Sequence, residues 1–208
     1  MPFLWAFEVE ARRSERETFI RVEWPLYLLE EIIERAKGKD QIHRVCISMI
    51  THPKALEDTL FVIQRLREET DLYISVLISP TLIHQENSLD AMEKAGTDRV
   101  GIAIDAATPE LFDQLRGKGV GGPHQWDHYW DVVRMSVSVF GRFCVGIHLI
   151  VGLGETEKEM VETIQRGQEM GAHTHLFSFF PEKGSPMEGY SPPPLCLLYT
   201  SPSPRDCS

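Results

Sequence analysis

The feature that most constrains the fold is a regular alternation of amphipathic helical segments with short apolar, β-branched segments. Residues 25–38 (PLYLLEEIIERAKG) have helical spacing and precede the strand pattern HRVCISMI at 43–50. The same succession recurs, with further strand patterns LYISVLIS, RVGIAID, CVGIHLIVGL and HTHLFSFF. Apolar strands that each follow a helix of crossover length predict an α/β fold with a parallel sheet covered by helices. An open doubly wound sheet and a curved partial barrel both satisfy this pattern, and in either one functional groups gather at the carboxyl ends of the strands.

Charge and composition exclude several classes of protein. The 208 residues are 42% hydrophobic and 25% charged, which is enough to bury a core as one domain or a large part of one. We find neither an apolar run that could span a membrane nor the pattern of a signal peptide, so we expect a cytoplasmic protein. The net charge of −10, without a basic stripe, argues against nucleic-acid binding and favours a small-molecule partner.

The four cysteines are Cys46, Cys144, Cys196 and Cys207, and no pair has the spacing of a zinc site or a disulfide framework. Cys46 and Cys144 lie within apolar strand patterns. We therefore expect both to be packed core thiols.

The C-terminal residues 196–208 (CLLYTSPSPRDCS) follow a proline-rich run and differ abruptly in composition from the rest. They resemble a translated sequencing adapter, so we treat them as a non-native tail and residues 1–195 as the natural domain. On this interpretation the natural protein continues beyond Leu195, and its N-terminus is equally open to truncation.

Polar or small residues follow the apolar strands where each strand ends: Ser48, Thr51, Ser79, Asp105, Gly152, Gly154, Glu155 and Ser178. Glycines in such positions let backbone amides approach a ligand closely, and a following helix start offers unpaired N–H groups. The alternative at the fourth strand end is an ordinary helix cap, in which Thr156 and Glu159 form a capping box.

The order of these strand ends resembles that of the radical S-adenosylmethionine superfamily, in particular its biotin-synthase-like branch, over residues 11–189. The segment IVGLGE is similar to the fifth-strand motif that packs against the cofactor's adenine, which implies cofactor contacts at Ile150, Gly152 and Glu155. RVGIAIDAATPELF resembles the fourth-strand region that meets the ribose and methionyl groups. Asp105 matches there, whereas Ala103 stands where biotin synthases carry a polar residue.

Three further segments carry the resemblance. RVCISMIT is similar to the second strand, whose edge near Ser48 and Met49 holds the cofactor's amino group. FFPEKGSPMEG resembles the sixth-strand end, which implies a cofactor contact at Phe179, and its GSP resembles a GTP turn. His124 lies close to the place of a cofactor-carboxylate contact in relatives.

One departure from the superfamily pattern is large. The superfamily binds a [4Fe–4S] cluster through Cys-x3-Cys-x2-Cys after its first strand, and this sequence contains no such triplet. The cysteines would belong at or before residues 1–10 (MPFLWAFEVE). The resemblance therefore implies a partial (β/α)6 TIM-type barrel that lacks the first strand and the cluster loop, and the chain as written is not expected to reduce S-adenosylmethionine.

For an intact relative, the resemblance implies that the reduced cluster cleaves S-adenosylmethionine to a 5′-deoxyadenosyl radical, which abstracts hydrogen from the substrate. Sulfur insertion, as in biotin and lipoyl synthases, is one outcome of such chemistry. The implied partners are a small-molecule substrate or carrier-bound acyl group, an electron donor such as flavodoxin or ferredoxin, and a partner radical S-adenosylmethionine subunit.

Two other functions remain open from the residues alone. One is an α/β-barrel enzyme acting on a phosphorylated or acidic metabolite, with the amides of VGLGE holding the anion. A catalytic Lys or Glu at a strand end would favour this function, but of the residues there, Asp105, Glu155 and Lys183, none is persuasive as a base. The other is a non-catalytic subunit that binds S-adenosylmethionine for a partner protein.

Other motifs favour structural roles. GKGVGG satisfies a dinucleotide-binding pattern but follows a helical segment instead of a strand, so we predict a loop. His124 and His128 have the spacing of one helical face, for which packing is favoured over metal ligation. His148 is predicted to be a core histidine or a cavity contact. His173 and His175 share a strand face, where solvent exposure of one is favoured over their pairing.

The edge of the strand RVCISMI would be left unpaired without a first strand, which predicts self-association.

Overall fold

The computed structural model describes residues 26–182 and 185–193 of the chain. Its helices are α1 (Leu29–Ala36), α2 (Ala55–Glu69), α3 (Glu86–Ala95), α4 (Pro109–Leu115), α5 (Trp126–Phe140) and α6 (Glu157–Met170). Its strands are β1 (Arg44–Ser48), β2 (Tyr73–Ile78), β3 (Arg99–Asp105), β4 (Val145–Val151) and β5 (His173–Ser178). Two single 3-10 turns cover Pro80–Leu82 and Lys118–Val120.

The five strands form one parallel sheet in the order β1-β2-β3-β4-β5, which confirms the predicted α/β fold. A doubly wound sheet would reverse its strand order at a switch point, and this sheet contains no reversal. Right-handed crossovers that all advance in one direction place every helix on the same side of the sheet. The order is therefore that of a partial barrel, the second of the two architectures that the sequence left open.

The burial pattern follows from this one-sided covering. On β2, β3 and β4, alternate residues point at the helices and are fully or almost fully buried: Ile74, Val76, Ile78, Val100, Ile102, Ile104, Val145, Ile147, Leu149 and Val151. We call the opposite side the open face. On β3 to β5 it carries the intervening residues Arg99, Gly101, Ala103, Gly146, His148, Ile150, His173, His175 and Phe177.

The helix ends match the local signals in the sequence. Thr108 precedes α4 and its side-chain oxygen accepts a hydrogen bond from Leu111 N at 3.2 Å. Gly96 and Gly171 end α3 and α6 in the left-handed region, at φ 113° and 90°. Threonine before the first turn and glycine after the last are the residue types that such helix ends favour.

The prediction of two core thiols is wrong. Cys46 is exposed, and Cys144 is only half-buried and lies just before β4 begins. The reason for Cys46 is its position: β1 forms one edge of the described sheet, and Cys46 alternates with the helix-facing Val45 and Ile47.

Several predictions fall on residues outside the described ranges. They include the segment 1–10, at or before which the cluster cysteines would belong, Gly184 of the GSP turn, Lys183, and the tail at 196–208. Within the described ranges, no helix is both long enough and apolar enough to cross a bilayer.

We predict that Leu89→Ala destabilises the fold by about 2–5 kcal/mol, because Leu89 of α3 is completely buried and truncation leaves a cavity. Urea unfolding followed by circular dichroism measures the loss. The matched control is Leu26→Ala, since Leu26 is 62% exposed. Equal unfolding free energies for the two variants would contradict this assignment of the core.

Candidate functional site

The eight residues predicted to bind the cofactor are distributed around the carboxyl end of the sheet. Ser48 is the exposed last residue of β1, and Met49 N donates to Leu77 O at 2.9 Å, which prolongs the pairing of β1 with β2. The remaining residues lie at or after the ends of β3, β4 and β5: Asp105, His124, Ile150, Gly152, Glu155 and Phe179.

The end of β3 is a bulge that redirects Asp105. The pairing register with β4 shifts between Ala103 and Asp105, so that Ala103 pairs with His148 and Asp105 with Leu149. Asp105 has a φ of 66°, in the left-handed region that only a few residue types other than glycine visit. Bulges of this kind re-aim a side chain and are frequent beside functional sites.

The redirected carboxylate forms an ion pair with Arg116, which follows α4. Arg116 Nη1 lies 2.5 Å from Asp105 Oδ2 and also donates to the carbonyl of Ala103. Its Nη2 lies 3.4 Å from the hydroxyl of Tyr129, and that hydroxyl lies 2.7 Å from His124 Nδ1. Asp105 and His124, singled out separately in the sequence, are thus joined through Arg116 and Tyr129.

Burial governs the protonation of this network. It raises the pKa of Asp105 above its ordinary value, an effect that the positive charge of Arg116 partly offsets. Burial also lowers the pKa of His124 and raises that of Tyr129. His124 is therefore neutral near pH 7 and hydrogen-bonds to the phenol as an uncharged ring.

A row of hydroxyl groups lies at the ends of β1 and β2. Thr51 Oγ1 and Thr81 Oγ1 each lie 3.0 Å from Ser79 Oγ. Ser79 is almost completely buried, so its hydroxyl depends on these two neighbours for hydrogen bonds. The row offers donors and acceptors to a polar ligand at this end of the sheet.

The end of β4 is a turn that Glu155 closes. Its two carboxylate oxygens accept hydrogen bonds from Gly152 N at 2.7 Å and from Leu153 N at 2.9 Å. Thr156 and Glu159 then form the capping box of α6, with Glu159 N donating to Thr156 Oγ1 and Thr156 N donating to Glu159 Oε2. The predicted capping box is confirmed.

This turn bears on the alternative in which the VGLGE amides hold an anionic metabolite. The amides of Gly152 and Leu153 already bind a carboxylate from the same chain. A metabolite anion would have to displace the Glu155 carboxylate, which lies only three residues after Gly152 and two after Leu153 in the sequence. The turn is therefore built to support the end of β4, and its amides are a poor anion site.

Apolar groups flank the ends of β4 and β5. Phe179 N donates to Val151 O at 2.8 Å, and the Phe179 ring lies 6.3 Å from that of Tyr190, centroid to centroid. Pro193 lies close over Gly152, where a Cβ would come within 2.7 Å of the proline ring. The contacts of Ile150 and Phe179 with a cofactor stay predictions.

A second group of polar side chains lies on the open face, below this rim. His173 Nε2 and His175 Nε2 are 2.8 Å apart, so the expectation that these histidines do not pair is wrong. The ring of His148 meets that of His175 edge to face, with centroids 5.2 Å apart. His148 is half-buried beside these rings and Phe177, and faces away from the helices.

The remaining motifs have structural roles. His124 bonds to Tyr129, whereas His128 Nε2 lies 2.7 Å from Pro80 O, so the two rings do not converge. Across residues 26–182 and 185–193, no three His, Cys, Asp or Glu side chains come together as metal ligands. GKGVGG follows α4 and contains a 3-10 turn, in agreement with its prediction as a loop.

Sequence reasoning missed Arg116 and Tyr129. Arg116 lies eleven residues after Asp105 with a helix between them, and only the fold shows that they meet. Tyr129 is almost completely buried within α5 and has the pattern of a core aromatic residue. The available signal was a basic residue placed directly after α4, where the chain passes from Phe112 into GKGVGG.

The family comparison gives a direct result. Residues 14–167 match the model described as the Radical SAM superfamily, which is more than half of the chain. No curated protein matches the chain at a significant level of similarity.

Solved structures show the same fold. The chain is similar to methylornithine synthase (PylB), with a TM-score of 0.65, 19% identity, and coverage of 83% of this chain and 50% of that one. It is also similar to HydG, a maturase of the [FeFe]-hydrogenase, with a TM-score of 0.61 and 11% identity. The match covers 82% of this chain and 40% of HydG. The third structure is the methyltransferase TsrM from Kitasatospora setae, with cobalamin and a [4Fe–4S] cluster bound (TM-score 0.53, 16% identity, coverage 78% and 33%). The chain spans half or less of the length of each.

We predict that Glu155→Gln lowers the free energy of unfolding by about 1–3 kcal/mol. The side-chain NH2 of the glutamine would face a backbone N–H that needs an acceptor. Urea unfolding measures the change. Glu162→Gln is the control, since Glu162 is exposed and its only ion pair, within the described residues, is at 3.6 Å from Lys158. The structural role of Glu155 is rejected if both variants unfold alike.

The pKa of His148 gives a second prediction, because burial lowers it from 6.5 to about 4, with His175 and His173 contributing. Between pH 6.5 and about 4, such a histidine is protonated in the unfolded chain but neutral in the folded chain. The free energy of unfolding therefore falls as pH drops from about 6.5 to about 4. His148→Gln should flatten this part of the stability curve, and the exposed His43→Gln should not. An NMR titration of the His148 ring near pH 6.5 would contradict the assignment.

Proposed function

The chain belongs to the radical SAM superfamily, and on that premise we propose that the carboxyl end of its sheet binds S-adenosylmethionine for hydrogen-abstraction chemistry on a small molecule. The observation that carries this proposal is the network of Asp105, Arg116, Tyr129 and His124 at the end of β3. In intact members of the superfamily, S-adenosylmethionine together with a [4Fe–4S] cluster supplies the radical chemistry.

The residues at the strand ends fit S-adenosylmethionine. The one side-chain hydrogen bond of Asp105 found among the described residues is accepted by Oδ2, which leaves Oδ1 to accept from a ribose hydroxyl. Acidic side chains at strand ends recognise ribose hydroxyls in this way in other nucleotide-binding folds. The bulge that places Asp105 at φ 66° stores strain of the kind that persists at ligand sites.

Arg116 supports this role of Asp105 in two ways. Its guanidinium anchors the carboxylate to the Ala103 carbonyl and keeps the side chain in one orientation. Its positive charge also partly offsets burial, which on balance raises the Asp105 pKa. The same charge would favour a ligand carboxylate near Tyr129 and His124.

The adenine end of the cofactor fits the corner between β4 and β5. Ile150 and Phe179 offer apolar surface beside the turn. Because Gly152 has no side chain, a ligand on that surface can approach its backbone closely. Glu155 holds the turn amides in place, so the corner is formed before any ligand arrives. This preformed geometry lowers the cost of ordering the site on binding.

The residues of this sequence do not fit the cluster. It contains no Cys-x3-Cys-x2-Cys, and Cys46 and Cys144 lie on different strand regions with no convergent partner among the described residues. The residues of this sequence therefore assign no chemical step to a cluster. The order of the strand-end motifs supports placing the chain in the biotin-synthase-like branch, as part of our proposal.

The test is calorimetric titration of the purified chain with S-adenosylmethionine. We expect Asp105→Asn to weaken binding about tenfold or more, because a hydrogen bond to a charged group contributes more than one between neutral groups. Asp131→Asn is the matched control, since Asp131 is an exposed helix residue that pairs with Arg134. The proposal fails if the wild-type chain does not bind the cofactor, or if both variants bind it equally well.

A further inference from the structure

The open face of β4 and β5 carries three imidazole rings that the proposed cofactor site does not use. His148 of β4 pairs in register with His175 of β5, and His173 lies two residues before His175 on the same face. The rings of His148 and His175 meet edge to face, with centroids 5.2 Å apart, and His173 Nε2 lies 2.8 Å from His175 Nε2. The three rings therefore form one group, which we call the histidine cluster.

Glycines of the preceding strands make room for the histidine cluster. A Cβ at Gly101 would lie 3.2 Å from His148 Nε2, and a Cβ at Gly146 would lie 3.1 Å from both Cδ2 and Nε2 of His175. Cδ2 and Nε2 thus form the edge of the His175 ring that faces Gly146 and His173. Nδ1 lies on the opposite edge of the ring, which is left for a ligand.

Hydrogen bonds within the cluster decide which ring nitrogens carry protons. Burial lowers the pKa of His173, whereas a hydrogen bond to the backbone of Phe143 acts in the opposite direction. A bond that favours the protonated ring is one that the ring donates, so the Phe143 carbonyl accepts from Nδ1 of His173. His173 Nε2 then accepts from His175 Nε2. Neutral His175 has one N–H, which this bond uses, and its Nδ1 is therefore a hydrogen-bond acceptor.

His148 supplies the complementary group. Burial lowers its pKa to about 4, so the ring is neutral near pH 7 and has one N–H donor and one acceptor nitrogen. Across the described part of the chain it meets the rings of His175 and Phe177 and makes no hydrogen bond. The Phe177 ring, which is 49% exposed and lies 5.2 Å from that of His148, offers apolar surface beside these nitrogens.

The cluster favours a ligand group without charge. Asp105 is the only acidic residue of β3, β4 and β5, and it is paired with Arg116. An ammonium group over the half-buried rings would therefore lose water without gaining a carboxylate partner. A carboxylate would face the acceptor Nδ1 of His175, which has no proton to donate. One acceptor on His175 and one donor on His148 match a group that both donates and accepts, as a carboxamide does.

We propose that His148 and His175 form a subsite for the carboxamide of a small-molecule ligand bound against the open face. His175 Nδ1 accepts an N–H of the ligand, the N–H of His148 donates to its carbonyl, and Phe177 packs against its apolar part. His173 is a positioning residue, because it binds the N–H of His175 and leaves Nδ1 as the acceptor. The inference deepens the proposed function, on which the identification of this ligand as the substrate rests.

The first test is the ¹⁵N NMR spectrum of the histidine rings of the purified chain at neutral pH, which shows the nitrogen that carries each proton. We expect His175 to be protonated on Nε2 and His173 on Nδ1. His173→Phe removes the acceptor for His175 Nε2, so protonation of His175 Nδ1 should become detectable in that variant. A wild-type His175 that is protonated on Nδ1 would overturn the subsite.

The second test follows the same signals while propionamide, sodium propionate or propylammonium chloride is added at constant ionic strength. We expect saturable shifts of His148 and His175 with propionamide, and weaker binding of the two charged analogues. His175→Phe keeps a ring beside His148 but lacks the acceptor nitrogen. It should weaken propionamide binding about fivefold, the effect of one neutral hydrogen bond.

His43→Phe is the matched control, because His43 is an exposed residue just before β1. Shifts that do not saturate, tighter binding of propionate or propylammonium than of propionamide, or equal affinity in His175→Phe and His43→Phe would each overturn the subsite. If His175→Phe does not fold, the wild-type ¹⁵N spectrum and the comparison of the three ligands still decide.

The two proposals fail in distinguishable ways. If propionamide does not bind and S-adenosylmethionine does, the subsite is wrong and the proposed function is unaffected. If propionamide binds and S-adenosylmethionine does not, the identification of the carboxamide as part of a substrate is overturned together with the proposed function.

Discussion

Each helical connection adds the next strand to the same edge of the sheet, and the rest of this structure depends on that constraint. Because each strand is added to the same edge of the sheet, the helices all cover one side, and the apolar residues of β2 to β4 alternate with residues that meet no helix. One side of every strand is therefore free for polar groups without loss of the core. The site residues and the histidines both use this freedom, the first at the strand ends and the second along the strands.

The rim of the sheet combines rigid and strained parts. Glu155 ties the amides of the β4 turn, and the capping box at Thr156 fixes the start of α6 immediately afterwards. The end of β3 is different, because Asp105 holds an unfavourable backbone conformation that is compensated by its ion pair with Arg116. A ligand that takes up the second carboxylate oxygen of Asp105 would add to that compensation. The backbone strain and the proposed ligand site thus share one residue.

The sequence predicted what depends on local chemistry. The strands, the helices and the caps at Gly96, Thr108 and Thr156 follow from spacing and residue type alone, and so does the strand-end position of Asp105. Contacts between distant segments were not predictable in this way, as Arg116 and Tyr129 show. Cys46 was misplaced because an apolar strand pattern does not reveal which side lacks a helix. The pairing of His173 with His175 was missed because it depends on Gly146, a residue of the neighbouring strand.

The placement of imidazole rings over glycines has a consequence for how this sheet can vary. A larger residue at Gly101 or Gly146 would collide with a ring, and a smaller residue at His148 or His173 would leave the glycine backbone uncovered. Each glycine and the ring above it are therefore one packing unit shared between two strands. Homologous chains should change both members of such a unit together or keep both, so paired variation at these positions would mark which relatives have the same interior surface.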